Sequence, residues 1–178
     1  DFTIAAYQLI ERFPSIGERT RRRYSHVLLD EYQDTSTTQA ALLAALFHVD
    51  ASQRSAVNAV GDPFQSIYAW RGASPGAFRM FQQDFHLSAG YKPFPLSVTR
   101  RNSRIVLEAA NNLTLPLRSN PSRPSSSLMR EVDVSSLDPM PDAPEGTLGV
   151  LGFATAGQEI DAVVRFCKTA IARDRKSV

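Results

Sequence analysis

Apolar positions along the chain fall into two alternating rhythms. Between Phe2 and Phe13, Ile4, Ala5, Leu9 and Ile10 recur at helical spacing, and Pro14 and Gly17 close the segment, which predicts a helix. His26-Val27-Leu28-Leu29-Asp30 is instead a short continuous apolar run closing on acids, the pattern of a strand buried on both faces of a parallel sheet. Ser36-Thr37-Thr38-Gln39 carries the letters of a capping box, so a helix through Ala40 to Phe47 starts about one turn after the acids. The same order then repeats. Ala56 to Val60 predicts a second strand running into Gly61-Asp62-Pro63, and Ser74-Pro75 offers an N-cap and a first-turn proline for a helix through Phe85. Phe94 to Val98 predicts a third strand, and Asn102 to Leu113 a helix with Ile105, Val106, Ala109, Ala110 and Leu113 on its apolar side. Strands alternating with helices in this way predict an α/β fold, a parallel sheet flanked by helices.

From Thr114 to Glu145 the rhythm is lost. Pro116, Pro121, Pro124, Pro139, Pro141 and Pro144 interleave with serines, which predicts irregular chain across 114–146. Thr147 to Phe153 predicts a further strand, after which Thr155-x-x-Gln158 caps a helix with Ile160, Val163, Val164, Cys167 and Ile171 on one face. No internal repeat is present.

Composition narrows the partners only slightly. With 43% hydrophobic and 21% charged residues the chain suits one globular domain or two small pieces of a larger one. The apolar runs are too short to span a bilayer and the start has no signal-peptide pattern, so the expectation is a cytoplasmic protein with no membrane partner. Cys167 is the lone cysteine and is expected in the core. A net charge of +2 does not by itself argue for nucleic acid, although the basic residues are 17 Arg against 3 Lys, and a planar guanidinium suits phosphates and stacking. The densest cluster, Arg19 and Arg21 to Arg23, reads as a solvated loop ahead of the first strand.

Val27-Leu28-Leu29-Asp30-Glu31 has the form of a Walker B element, a strand delivering carboxylates to the carboxyl edge of a sheet, where one acid can hold Mg²⁺ and the next can orient and deprotonate water. Taken alone, two acids at a strand end are an ordinary solvated terminus. The neighbouring letters change those odds. Asp30-Glu31-Tyr32-Gln33-Asp34-Thr35, followed four residues on by Gln39, resembles motif II of the UvrD/Rep-type superfamily 1 DNA helicases, and Gly61-Asp62-Pro63-Phe64-Gln65-Ser66-Ile67-Tyr68-Ala69-Trp70-Arg71-Gly72-Ala73 resembles motif III. Leu96 to Asn102, continuing through Ala109-Ala110-Asn111, is similar to motif IV.

The resemblance implies a RecA-like P-loop NTPase motor fold, present in part: 1–92 as the later half of a first RecA-like domain and 93–178 as the start of a second. It implies ATP and Mg²⁺ as cofactors and both single-stranded and duplex DNA as partners, with movement along single strands in the 3′-to-5′ direction. Asp30 and Glu31 would serve the metal and Glu31 would be the general base. Gln65 would sense the γ-phosphate, and Arg101 would reach it across the domain cleft and stabilise charge in transfer. Tyr68, Trp70 and Arg71 would grip DNA, with Trp70 stacking on bases without reading them. Packing is an equally ready account of Phe64 and in part of Tyr68. Arg100 stands where the family has an adenine-stacking tyrosine; a guanidinium plane can stack there or point to solvent.

No Gly-x4-Gly-Lys-Ser/Thr loop occurs, since Lys92, Lys168 and Lys176 all lack a preceding glycine. The chain is therefore expected to be an internal piece, inactive alone and partnered by the remainder of its own helicase chain. Two other readings stand beside the motor: the motor part of a RecB-like helicase-nuclease, and a non-catalytic DNA-binding or assembly module derived from the motor. Retention of Asp30, Glu31, Gln65 and Arg101 together argues against the module.

Overall fold

The computed structural model describes residues 2–50, 52–74, 76–88, 90–119 and 134–174. Helix α1 (Phe2–Arg12) forms as its periodicity predicts, but the chain does not then loop to the first strand. Pro14 instead becomes the N-cap of a second helix, α2 (Ser15–Arg23), so the arginine cluster is helical rather than a solvated loop. Two causes favour this. Arg21 to Arg23 lie in the last turn, where cations oppose the negative end of the helix dipole. Arg21 also donates to the carbonyl of Leu46 at 2.9 Å and of Ala45 at 3.4 Å, satisfying the end of the next helix, α3 (Thr37–Phe47).

Strands β1 (His26–Leu29) and β2 (Ala56–Ala59) pair in parallel, with Val27 opposite Val57 and Leu29 opposite Ala59. Exposure alternates along both, and Leu28 is 82% exposed, which corrects the expectation of a strand covered on both faces. Among the described residues this sheet has two strands and helices pack on one side of it; the side bearing Leu28 lies open. Ser36 caps α3 as predicted, its hydroxyl accepting from the Gln39 amide at 3.2 Å while Gln39 Oε1 accepts from the Ser36 amide at 2.9 Å.

The core lies between β1–β2, α3 and α4 (Ala77–Asp84). Tyr32, Ala77, Phe81 and Phe85 are buried together, with Leu29, Leu43, Phe47 and Val57 packed around them. Phe81 meets Tyr32 edge-on at 5.3 Å and stacks on Phe85 at 4.5 Å, geometries that aromatic quadrupoles favour. Burial and then the charge of Asp84 push the Tyr32 phenol up to about 12. Its hydroxyl has no hydrogen-bond partner among the described residues. Helix α4 begins two residues later than its Ser-Pro signal predicts, because the Ser74 hydroxyl accepts from the Gly76 amide and Gly76 takes the cap position; Pro75 lies outside the described residues. At the far ends of α3 and α4, His48 Nε2 and His86 Nδ1 share a hydrogen bond of 2.7 Å. Burial, followed by the neighbouring charges of His86 and Arg54, lowers the His48 pKa.

The second half departs further from expectation. The third strand is only β3 (Val98–Thr99), since the prolines at 93 and 95 cannot donate to a ladder. It pairs in parallel with β4 (Asp138–Pro139), which falls inside the segment expected to be irregular. Helix α5 (Arg104–Ser119) runs past its predicted end and carries Pro116 internally. Its first amides, Arg104 and Ile105, donate to the carbonyls of Pro144 and Glu145, and Asn111 exchanges two bonds with the Leu137 backbone. These contacts order 134–145 against α5; the rest of the predicted irregular segment, 120–133, lies outside the described residues. Thr147 to Phe153 forms no strand. Helix α6 (Ala156–Asp174) forms, with Thr155 Oγ1 accepting from the Gln158 amide, but its predicted core face is solvent-facing and Cys167 is exposed, not buried.

Candidate functional site

Both acids follow directly from the end of β1, and the chain there is held in an unusual shape. Glu31 has φ 50° and ψ 40°, left-handed values that a residue with a Cβ adopts only when its surroundings fix it. Three bonds do so: the Glu31 amide donates to Asp30 Oδ1 at 2.8 Å, the Asp34 amide to the Glu31 carbonyl at 3.0 Å, and Gln33 Nε2 to Glu31 Oε2 at 2.6 Å. A 3-10 turn, Tyr32–Asp34, then drops Tyr32 and Gln33 into the interior. The Tyr32 amide donates to the Val60 carbonyl at 3.0 Å, extending the strand pairing past β2 and bringing the two strand ends side by side.

After β2 the chain turns through Gly61 into a short 3-10 helix, Pro63–Gln65. Asp62 caps it, accepting from the Phe64 amide at 2.9 Å through Oδ1 and from Gln65 Nε2 at 2.9 Å through Oδ2. Asp30, Glu31, Gly61, Asp62 and Gln65 thus line one cavity of about 370 Å³. The rest of its wall includes Pro93 to Ser97, Val134, Ser135, Leu137 and Phe78. The sequence names Asp30, Glu31 and Gln65, and the structure brings all three together. Arg100 and Arg101 are exposed and do not line the cavity; the Arg101 amide donates to Thr99 Oγ1 at 3.4 Å.

The donor set suits a small hard cation shared with phosphate. Asp30 and Glu31 are exposed at the cavity, and each has one carboxylate oxygen not engaged by the bonds given above. No group of three or more His, Cys, Asp or Glu is placed to hold a metal ion among the described residues. Mg²⁺ is commonly held by one or two carboxylates with substrate phosphates and water completing its shell, so the pair is sufficient.

A second feature sits beside the first. Tyr68, Trp70 and Arg71 group around the short 3-10 helix Ala69–Arg71, with the Arg71 guanidinium 4.7 Å from the Trp70 ring centroid and 5.3 Å from that of Tyr68. Trp70 is 74% exposed, so packing does not account for it. Gly72, at φ 90°, ends this helix, and the chain returns to the acidic segment: Ser36 and Ala73 form an antiparallel bridge and the Ser74 amide donates to the Thr35 carbonyl at 3.1 Å.

Gln33, Asp62 and the Pro93–Ser97 wall are the site features to which sequence reasoning gives no role. The available signal was the amide at Gln33, two residues past an acid in a turn that must go inward.

Asp30 and Glu31 stand at the carboxyl edge of a parallel strand pair, the edge outside which open α/β sheets commonly bind ligands. Residues 1–86 match the family model of the UvrD/REP helicase N-terminal domain, and the chain is similar to UvrD/Rep helicases. It is 36% identical over 113 residues to the ATP-dependent DNA helicase Rep of Salmonella typhimurium and 35% identical over 113 residues to that of Escherichia coli, each match covering 64% of this chain and 16% of the relative. With DNA helicase II of Haemophilus influenzae it shares 34% identity over 113 residues, 64% of this chain and 14% of the relative. The chain therefore matches less than a fifth of the length of these helicases. No described helix is long and apolar enough to cross a membrane.

Proposed function

We propose that this chain is part of a DNA helicase motor that couples hydrolysis of ATP to movement along single-stranded DNA. The observation that carries the reading is the cavity in which Asp30, Glu31 and Gln65 converge, joined through main-chain bonds to an exposed Tyr68–Arg71–Trp70 cluster. Asp30, with help from Glu31, would hold Mg²⁺, which when bound would neutralise phosphate charge. Glu31 orients the attacking water and takes its proton. Gln65, braced on Asp62, meets the γ-phosphate end of the nucleotide. Phosphoryl transfer asks little more of a protein than positioning and electrostatics, and a water held by a fixed carboxylate is both.

In this reading 1–92 supplies the later half of a first RecA-like domain and 93–178 the start of a second, with Arg101 supplied to the nucleotide when the two close and Arg100 beside the adenine. The open face at Leu28 and the exposed apolar row of α6 fit a chain that packs against more of its own protein. Strand separation accords with the helicase names of the chain's relatives Rep and DNA helicase II, and movement in the 3′-to-5′ direction is part of the same proposal.

Single-strand binding by the full-length protein tests the DNA half of the proposal. Trp70→Ala is expected to weaken it by about 1–3 kcal/mol per stacked base, and uniformly across sequences because every base has a π-face. Unchanged affinity in a fluorescence anisotropy titration would remove the stacking role. The chain by itself is expected to release no phosphate from ATP, since none of its lysines follows a glycine in a phosphate-cradling loop; steady turnover by the purified chain in a phosphate-release assay would refute that.

A further inference from the structure

Gln33 is a buried polar side chain, 2% exposed, lying where the ends of β1 and β2 meet. Its amide is used at both ends. Nε2 donates to Glu31 Oε2 at 2.6 Å, and Oε1 accepts from the Asp62 amide at 3.0 Å. Its main-chain carbonyl accepts from Ser66 Oγ at 3.1 Å, so three bonds join this one residue to both segments of the cavity. Gly61 makes the arrangement possible, because a Cβ there would overlap Gln33 Oε1 and lie 3.0 Å from the Tyr32 amide nitrogen. Glu31, the group it touches, is the residue held in left-handed backbone.

From this geometry we infer that Gln33 is a positioning residue: it fixes the Glu31 carboxylate at the cavity and ties it to the Gly61–Gln65 turn, so that the base and the phosphate-facing amide move as one body. The inference rests on the ATP-hydrolysing reading of the site. Residue chemistry makes the assignment specific. The position demands a donor toward a carboxylate and an acceptor toward a main-chain amide, separated by the length of a carboxamide. Leucine offers neither, glutamate lacks the donor, and asparagine is a methylene short. Since a buried amide stripped of partners is costly, the pairing also fixes the Gln33 orientation, with nitrogen toward the acid.

The test is steady-state ATP turnover of the full-length protein with single-stranded DNA, comparing wild type with Gln33→Leu, Gln33→Glu and Glu31→Gln. Gln33→Leu is expected to lower kcat about tenfold to hundredfold, the scale of a small misplacement of a reacting group, while KM for ATP stays within about twofold. Gln33→Glu keeps the shape but removes the donor toward Glu31 Oε2, and is likewise expected to lower kcat with KM for ATP within about twofold. Normal kcat in both Gln33 variants overturns the inference. So does loss of activity that follows thermal stability alone, with KM for ATP rising as kcat falls. Wild-type turnover that survives Glu31→Gln undamaged marks a different failure, that of the site reading itself.

Discussion

Replacing Glu31 by glutamine in the full-length protein is expected to cut ATP turnover by about 10²- to 10⁴-fold, the usual contribution of a positioned general base, while nucleotide still binds. The substitution is close to isosteric. It keeps an oxygen able to accept from Gln33 and removes the charge that attracts the water proton, so the geometry described by the 2.6 Å bond survives while the chemistry does not. Single-turnover kinetics beside a nucleotide-binding titration separate the two effects. Full turnover in the variant would move the base elsewhere and leave Glu31 as a metal-side carboxylate.

The largest effect on stability is expected at Phe81, where truncation to alanine should cost about 3–5 kcal/mol. This ring is the hub of the core, stacked on Phe85 at 4.5 Å and set edge-on to Tyr32 at 5.3 Å. Its loss leaves a cavity between α4 and the turn that carries Gln33. Tyr32 is 1% exposed and cannot shift outward to fill that space without exposing its ring. Urea unfolding should show a lower midpoint, and a change of less than about 1 kcal/mol would mean that the surrounding side chains collapse into the space.

The first half of the chain was legible because its signals are local. The apolar run His26–Leu29, the Ser36–Gln39 box and the run Ala56–Ala59 each specify an element without help from distant residues, and each formed close to where the pattern placed it. Helix α2 was hidden because Pro14 and Gly17 read as stops; a proline is equally at home just outside the first turn of a new helix. Gly17 is buried against α3, where a Cβ would come within 3.1 Å of the Ala45 carbonyl. The β3–β4 pair was illegible for another reason: two-residue strands are defined by their partners, here about forty positions apart, and have no periodicity of their own. Apolar spacing alone could not say that the α6 row faces solvent, because spacing records which side wants a partner and not whether one is at hand.

The candidate site divides in the same manner. Asp30, Glu31, Gln65, Tyr68, Trp70 and Arg71 were readable from residue type and order, and the structure assembles them as one cavity and one exposed cluster beside it. Gln33 and Asp62 were present in the quoted motifs but had no role, because their work is done by bonds across the two strand ends that only the folded chain reveals. In the Pro93–Ser97 wall only Leu96 and Ser97 fall in a recognised motif, and Pro93 to Pro95 contribute shape.

The bridge between Ser36 and Ala73, with the Ser74 amide on the Thr35 carbonyl, carries a consequence for mutational robustness. It fastens the acidic segment to the aromatic grip through main-chain atoms, which every amino acid possesses. The fastening itself uses no side chain, so it is lost directly only with proline at Ser74, which has no amide hydrogen to give, or where a larger residue cannot be housed at buried Ala73. Drift in sequence can therefore retune the grip at Trp70 or the chemistry at Glu31 separately without uncoupling one from the other.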